Sequence, residues 1–86
     1  MRADSDWVLH KLKIARGQLE GIIKMVEEDK YCVDISNQIL ATDALLKRVN
    51  HEILQQHIRG CVADALETAE PNEKVEEALA LLKKLA

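Results

Sequence analysis

Aromatic residues, proline and glycine are scarce in this chain of 86 residues. It contains no Phe, one Trp, one Tyr, one Pro and three Gly. The hydrophobic share of 48% excludes a disordered chain. However, so small a domain buries only about 60% of the surface that its unfolded chain exposes. We therefore predict one domain over residues 1–86, with a core too small for a stable monomer.

Membrane-spanning and catalytic segments are also missing from the sequence. No apolar run approaches the roughly 20 residues that cross a bilayer, and the polar start Met1–Asp6 has no signal-peptide core behind it. Glycine-rich phosphate loops and nucleophile elbows are absent. We expect a cytoplasmic protein that is not an enzyme and has no membrane partner. In that compartment, two Cys are more often free thiols or metal ligands than a disulfide.

Helical spacing of apolar residues predicts an all-α fold with three helices. Helix 1 is expected at about 5–28, helix 2 at about 33–67 and helix 3 at about 71–84, the last beginning at Glu70-Pro71. The predicted apolar rows are Val8, Leu12, Ala15, Leu19, Ile22 and Val26 on helix 1; Ile35, Ile39, Leu46, Val49 and Ile53 on helix 2; and Val75, Leu79, Leu82 and Leu85 on helix 3.

The two long helices form a hairpin that leaves one apolar face uncovered. A second copy of the chain can cover that face, which predicts an antiparallel four-helix bundle across a two-fold axis.

Three residues in the second predicted helix have the chemistry of a metal site. His57 and Cys61 are four residues apart and project from one helix face. Taken alone, the pair is more typical of a buried Cys beside a half-buried His than of a metal site. Cys32 lies 25 residues before His57, roughly 37 Å along an unbroken helix. It cannot reach the pair in its own chain, but it can reach that pair in an antiparallel partner.

Two thiolates and one imidazole form a soft set of three ligands. Such a set favours Cu(I) over Zn(II), which needs a fourth ligand from water or a carboxylate. Two thiols across an interface are also consistent with a redox switch that senses oxidants or sulfur species. The residues alone leave these alternatives open.

Basic residues are concentrated near the N-terminus, although the formal net charge is −3. Residues 1–24 carry a net charge of +2, whereas residues 62–86 carry −3. Lys47 and Arg48 add a basic pair in the middle of helix 2. Repeated by symmetry, these clusters suit contacts to DNA phosphates. The alternative is a set of solvated helix faces on a helical interaction module that does not bind DNA.

The sequence resembles the CsoR/RcnR family of metal-sensing transcriptional repressors over about residues 7–82. The resemblance rests on the stretch from Leu12 to Glu27, on Tyr31-Cys32-Val33-Asp34-Ile35 and on His57-Ile58-Arg59-Gly60-Cys61. It implies a three-helix protomer, a four-helix-bundle dimer and a tetramer built from two dimers. It also implies a repressor that binds double-stranded operator DNA and releases it when an inducer binds.

Within that family, the sensing positions resemble the copper branch. The resemblance implies a Cu(I) site formed by Cys32, His57 and Cys61 across the dimer, with Zn(II) as a non-cognate occupant. Tyr31 and Glu77 fall where copper-sensing members carry groups that hydrogen-bond around the imidazole. A persulfide-sensing branch keeps both Cys but lacks the His, and such a sensor of the same fold is the main alternative function.

The family places DNA-contacting residues on helices 1 and 2. The matching basic residues are Lys11, Lys13, Arg16 and Arg48, and we add Lys47 as the neighbour of Arg48. Ile14 stands where many members carry Arg, and Lys11 replaces a frequent Arg. Lysine contacts phosphate as a point charge rather than as a fork. The sequence has no helix-turn-helix signature, and the resemblance implies shape-dependent readout of a GC-rich, partly palindromic site.

Overall fold

The described part of the chain folds into three α-helices. The structure, a computed structural model, describes residues 1–68 and 72–85. The helices are α1 (Ser5–Glu27), α2 (Cys32–Thr68) and α3 (Asn72–Leu85). The prediction of an all-α fold with three helices is confirmed. Each helix end lies within one residue of the predicted position, and the predicted start of helix 3 at Glu70-Pro71 lies outside the described residues.

The chain divides into two compact units that share α2. The hairpin unit, residues 5–50, contains α1 and the first half of α2. The end unit contains residues 1–4 and 51–86, and therefore the N-terminal segment, the second half of α2 and α3. None of the described helices is long and apolar enough to cross a membrane.

The core of the hairpin unit is built from rows of residues at a spacing of seven. On α1 the buried row is Val8, Ala15 and Ile22. On α2, Thr42 and Val49 are buried and Ile35 is half-buried. The predicted apolar row on α2 omitted Thr42 because it is polar. Its hydroxyl lies 2.8 Å from Gln18 Oε1 and 3.2 Å from the Gln38 carbonyl oxygen, which satisfies the buried polar group.

The other half of the predicted rows is exposed in the single chain. On α1 these residues are Leu12, Leu19 and Val26, which are 40%, 48% and 59% exposed. On α2, Ile39 and Leu46 are exposed as well. No large side chain in the described ranges is fully buried. An apolar stripe of this length needs a cover in water, so a second copy of the chain stays our prediction.

The connection between α1 and α2 turns sharply at Asp29. This residue has a φ of 53°, in the left-handed region. The amide of Lys30 donates to the Met25 carbonyl at 2.9 Å, and the amide of Asp29 donates to the Val26 carbonyl at 3.1 Å. These bonds satisfy carbonyls at the end of α1. The Tyr31 carbonyl then accepts hydrogen bonds from the amides of Asp34 and Ile35 in the first turn of α2.

The N-terminal segment is docked within the end unit. Ala3 is buried, and the Arg2 guanidinium pairs with the Asp64 carboxylate at 3.0 Å. The Arg2 side chain lies against the α2 backbone at Gly60, where a β-carbon would collide with it. Glycine at position 60 therefore permits this close approach, one residue before the buried Cys61.

Candidate metal centre

His57 and Cys61 lie one helical turn apart on α2, inside the end unit. Their spacing of four residues places both side chains on the same face of the helix. Cys61 is a free thiol that is only 3% exposed, whereas His57 is half-buried. A sulfur donor and an imidazole donor are therefore neighbours within one chain.

Glu77 of α3 completes the local arrangement. Its Oε1 atom lies 3.0 Å from His57 Nε2. An ionised carboxylate accepts hydrogen bonds but donates none, so His57 donates through Nε2–H. In the neutral ring this leaves the lone pair on Nδ1. The hydrogen bond thus fixes both the orientation of the imidazole and the atom that is free to bind a metal.

The three side chains converge tightly enough to hold one ion. One ligand atom from each of His57, Cys61 and Glu77 lies within 4.8 Å of the other two. The sequence placed Glu77 near His57 only through the family resemblance, because residues 57 and 77 lie on different helices.

Cys32 and Tyr31 are not brought into this group. Cys32 is the first residue of α2, an unbroken helix that reaches Cys61 only 29 residues later. Both Cys32 and Tyr31 belong to the hairpin unit and are exposed. Their roles at a metal site therefore stay predictions, and they require a second chain.

A small pocket adjoins the His57–Glu77 pair. It has a volume of about 220 Å³ and belongs entirely to the end unit. Besides this pair, its walls are Met1, Arg2, Ile53, Leu54 and Leu81. The contribution of Met1 and Arg2 was not predicted from the sequence. No local pattern signals it, since Arg2 and its partner Asp64 are 62 residues apart.

The candidate DNA-binding residues all lie in the hairpin unit. Lys13, Arg16, Lys47 and Arg48 are exposed, and Lys11 is half-buried. The Lys11 ammonium lies 5.8 Å from the centre of the Trp7 ring, and Lys47 pairs with Asp43 at 3.1 Å. Among the described residues, Lys13, Arg16 and Arg48 form no ion pair. Lys13 and Arg16 are three apart on α1 and so project together.

Comparison with known families matches nearly the whole chain. Residues 4–84 fit the model of the metal-sensitive transcriptional repressors. The chain belongs to this family. The resemblance seen in the sequence is thereby confirmed.

The curated relatives of this metal-sensitive repressor include copper-sensing proteins. It is 41% identical over 81 residues to the copper-sensing transcriptional repressor CsoR of Bacillus subtilis. The match covers 94% of this chain and 80% of that protein. It is 37% identical over 75 residues to CsoR of Mycobacterium tuberculosis H37Rv. That match covers 87% of this chain but 63% of the mycobacterial protein, less than two thirds of its length.

Solved structures of relatives have the same fold. The copper-sensing repressor CsoR with Cu(I) from Geobacillus thermodenitrificans matches with a TM-score of 0.81 and 34% identity. The match covers 92% of this chain and 82% of that chain. The nickel-responsive transcriptional regulator InrS matches with a TM-score of 0.89 over 100% of this chain and 97% of that one. Because the two sequences are only 22% identical, this structural match is evidence for the fold alone.

Proposed function

We propose that this metal-sensitive repressor responds to Cu(I) and releases operator DNA when Cu(I) binds. The observation that carries the proposal is the placement of His57 beside Cys61, with the imidazole held by Glu77. Similarity to copper-sensing repressors at 37–41% identity supports the choice of metal.

The donor set of the proposed site is Cys32 from one chain with His57 and Cys61 from its partner. Two thiolates and an imidazole suit Cu(I), which is content with three soft ligands. Because Nε2 of His57 is engaged by Glu77, Nδ1 is the nitrogen that would hold the metal. A sensor of sulfur species would need the two thiols but no oriented imidazole, so the His57–Glu77 bond favours the metal.

The assembly in this proposal is an antiparallel dimer, paired into a tetramer. The exposed stripe of Leu12, Leu19, Val26, Ile39 and Leu46 supports it, because a second copy would remove this apolar surface from water. Two-fold symmetry then forms two equivalent metal sites per dimer.

Operator binding is assigned to the hairpin unit. Lys13, Arg16 and Arg48 are exposed cations without an ion pair among the described residues. Repetition in an oligomer multiplies them into a basic surface that suits phosphates. Lys11 and Lys47 belong to the same proposed surface, although each already contacts a neighbour.

Coupling between the two functions follows from linkage. A ligand shifts a protein towards the arrangement that it binds more tightly. If the metal-bound arrangement holds DNA less well, Cu(I) lowers DNA affinity, and DNA lowers Cu(I) affinity by the same factor. Couplings of about 1–3 kcal/mol are typical.

Complementation between two inactive variants tests the shared site directly. Cys32→Ala and Cys61→Ala chains each lose every site when studied alone. After unfolding and refolding together, each mixed dimer regains one intact site, made from Cys32 of one chain and His57 and Cys61 of the other. Random mixing restores roughly a quarter of the sites, since half of the dimers are mixed and each has one of two sites intact.

The readouts are Cu(I) stoichiometry and operator release under anaerobic conditions. Recovery of Cu(I) binding in the mixture, but in neither variant alone, supports the shared site. Full Cu(I) response in Cys32→Ala alone contradicts it. A His57→Ala protein that still releases DNA with a persulfide donor, but not with Cu(I), indicates a sulfur sensor instead.

A further inference from the structure

His10 is an exposed histidine of the hairpin unit to which the proposed function gives no role. It lies three residues before Lys13 on α1, so the two side chains project from the same side of the helix. We propose that His10 contacts a DNA phosphate when it is protonated, and that DNA affinity therefore rises as the pH falls. This inference rests on the proposed DNA binding by the hairpin unit, to which it adds a residue and a pH response.

His10 points away from both sides of α1 that are needed for packing. Side chains two residues apart on an α-helix point about 160° apart, because the helix has about 3.6 residues per turn. His10 lies two residues after the buried Val8 and two residues before Leu12, which belongs to the stripe proposed to meet a second chain. A copy that covers Leu12 therefore leaves His10 open to DNA.

The side of α1 that carries His10 continues as an accessible surface. Lys13 and Gly17 lie two residues to either side of the buried Ala15, so they point to the same side of the helix as His10. A β-carbon at Gly17 would meet nothing within 4 Å beyond its own helix backbone and its chain neighbours. A DNA backbone can therefore approach His10 and Lys13 closely.

The charges around His10 favour an anionic partner. The contact between Gln18 and Thr42 fixes the register of the antiparallel hairpin and places Asn50 of α2 level with His10. The charged residues near this level of the hairpin unit are one acid and four bases: Asp6, Lys11 and Lys13 on α1, and Lys47 and Arg48 on α2. One of these bases is already engaged by a second acid, Asp43. A protonated His10 adds a cation to a surface on which bases outnumber acids.

Protonation and DNA binding are linked at such a contact. Histidine is the ordinary side chain that gains a positive charge as the pH falls from about 8 to about 5, whereas lysine stays charged over this range. A charged imidazole at a phosphate releases a condensed counterion from the DNA, which a neutral ring does not do. Because DNA binds the protonated form more tightly, DNA affinity is higher below the range in which histidine titrates and is lower above it.

Binding of the reduced, metal-free protein to DNA at about pH 6 and about pH 8 tests the proposal. The probe is a GC-rich duplex labelled with rhodamine, because phosphate contacts do not depend on base sequence. Fluorescence anisotropy should show an affinity about two- to fivefold higher at the lower pH for each copy of His10 that contacts the DNA, as for an exposed ion pair.

Three variants assign the pH response to one residue. His10→Gln should lose the difference between the two pH values, because its side chain is polar but does not titrate. His10→Lys should keep the higher affinity at both pH values, since its charge is permanent over this range. His51→Gln is the matched control, because it removes an exposed histidine of the end unit, and it should keep the pH response.

Salt dependence gives a readout that a merely structural role of His10 would not change. The slope of log affinity against log salt concentration should be steeper at the lower pH by about 0.9 per contacting copy, and His10→Gln should abolish this difference. Equal pH responses of the unsubstituted and His10→Gln proteins would overturn the proposal. A changed oligomeric state of His10→Gln protein in sedimentation would also overturn it, because His10 would then lie between chains.

The proposed copper response fails in a different way. Unsubstituted protein that keeps its DNA when Cu(I) binds would contradict that function and leave the pH response of His10 standing. Absence of DNA binding at both pH values would overturn both proposals.

Discussion

The hairpin unit and the end unit differ in charge and in what each offers to a ligand. The hairpin unit has seven basic and seven acidic residues, and all five candidate DNA-binding residues lie there. The end unit has five basic and eight acidic residues, so it accounts for the whole net charge of −3. It also contains the group of His57, Cys61 and Glu77.

On the proposed assignment of sites, one chain places the two tasks of a repressor in different units. The net charge of the whole chain conceals an electrically balanced unit whose exposed cations suit DNA. The proposed Cu(I) site needs both units, since Cys32 lies in the hairpin unit and its proposed co-ligands lie in the end unit. Variants that affect only one unit can test this division.

The largest expected effect is on the end unit, through Glu77→Ala. Loss of the hydrogen bond that orients His57 should lower Cu(I) affinity about 10–100-fold. Competition with a Cu(I) chelator measures this, and operator affinity of the metal-free protein should be unchanged. Glu76→Ala, on an exposed neighbour, is the control. A matching loss of Cu(I) affinity in that control would mean that charge, not the hydrogen bond, is responsible.

Thr42→Val tests the hairpin unit alone. Valine matches threonine in shape but removes the hydroxyl that satisfies Gln18, at a cost of about 1–2 kcal/mol in the free energy of unfolding. Urea denaturation at fixed protein concentration measures it, with Thr42→Ser as the variant that keeps the hydroxyl. If the Thr42→Val protein is as stable as the unsubstituted protein, the hydrogen bond between Thr42 and Gln18 makes no net contribution to the stability of the hairpin unit.

Arg16→Ala tests whether the exposed cations of the hairpin unit hold DNA. A plot of log affinity against log salt concentration has a negative slope, and the loss of one phosphate contact should make it shallower by about 1. The change is multiplied by the number of Arg16 copies in the oligomer that contact the DNA. Fluorescence anisotropy with operator DNA at several salt concentrations gives the slope. Lys83→Ala removes one exposed cation from the end unit instead. Equal slopes for the two variants would contradict the assignment of DNA binding to the hairpin unit.

The smallest expected effect comes from the turn at Asp29. Glycine adopts its φ of 53° without steric cost, so Asp29→Gly should raise the free energy of unfolding by up to about 1 kcal/mol. Asp29→Ala keeps the β-carbon and should give no such gain. Thermal unfolding of both variants separates backbone strain from loss of the acidic side chain.

Much of the fold was predictable because helical periodicity is a local signal. The spacing of the apolar row from Val8 to Val26 predicted a helix and its apolar side. The same pattern could not tell which residues the single chain leaves exposed, such as Leu12 and Leu19. Burial depends on which surfaces meet, and the polar Thr42 broke the apolar row although it lies in the core.

The candidate site was predictable only in part for the same reason. The His57–Cys61 pair follows from a spacing of four within one helix. Glu77 required the family resemblance, and the position of Arg2 over Gly60 had no sequence signal at all. Contacts between distant segments are decided by packing, which no local pattern encodes.

An anaerobic Cu(I) titration of the protein bound to operator DNA decides whether this repressor responds to copper. Metal stoichiometry and release of DNA are followed in the same sample. We predict that release accompanies binding and is complete at one Cu(I) per chain, as two shared sites per dimer require. Stoichiometric Cu(I) binding that leaves the DNA fully bound would contradict a copper-responsive repressor.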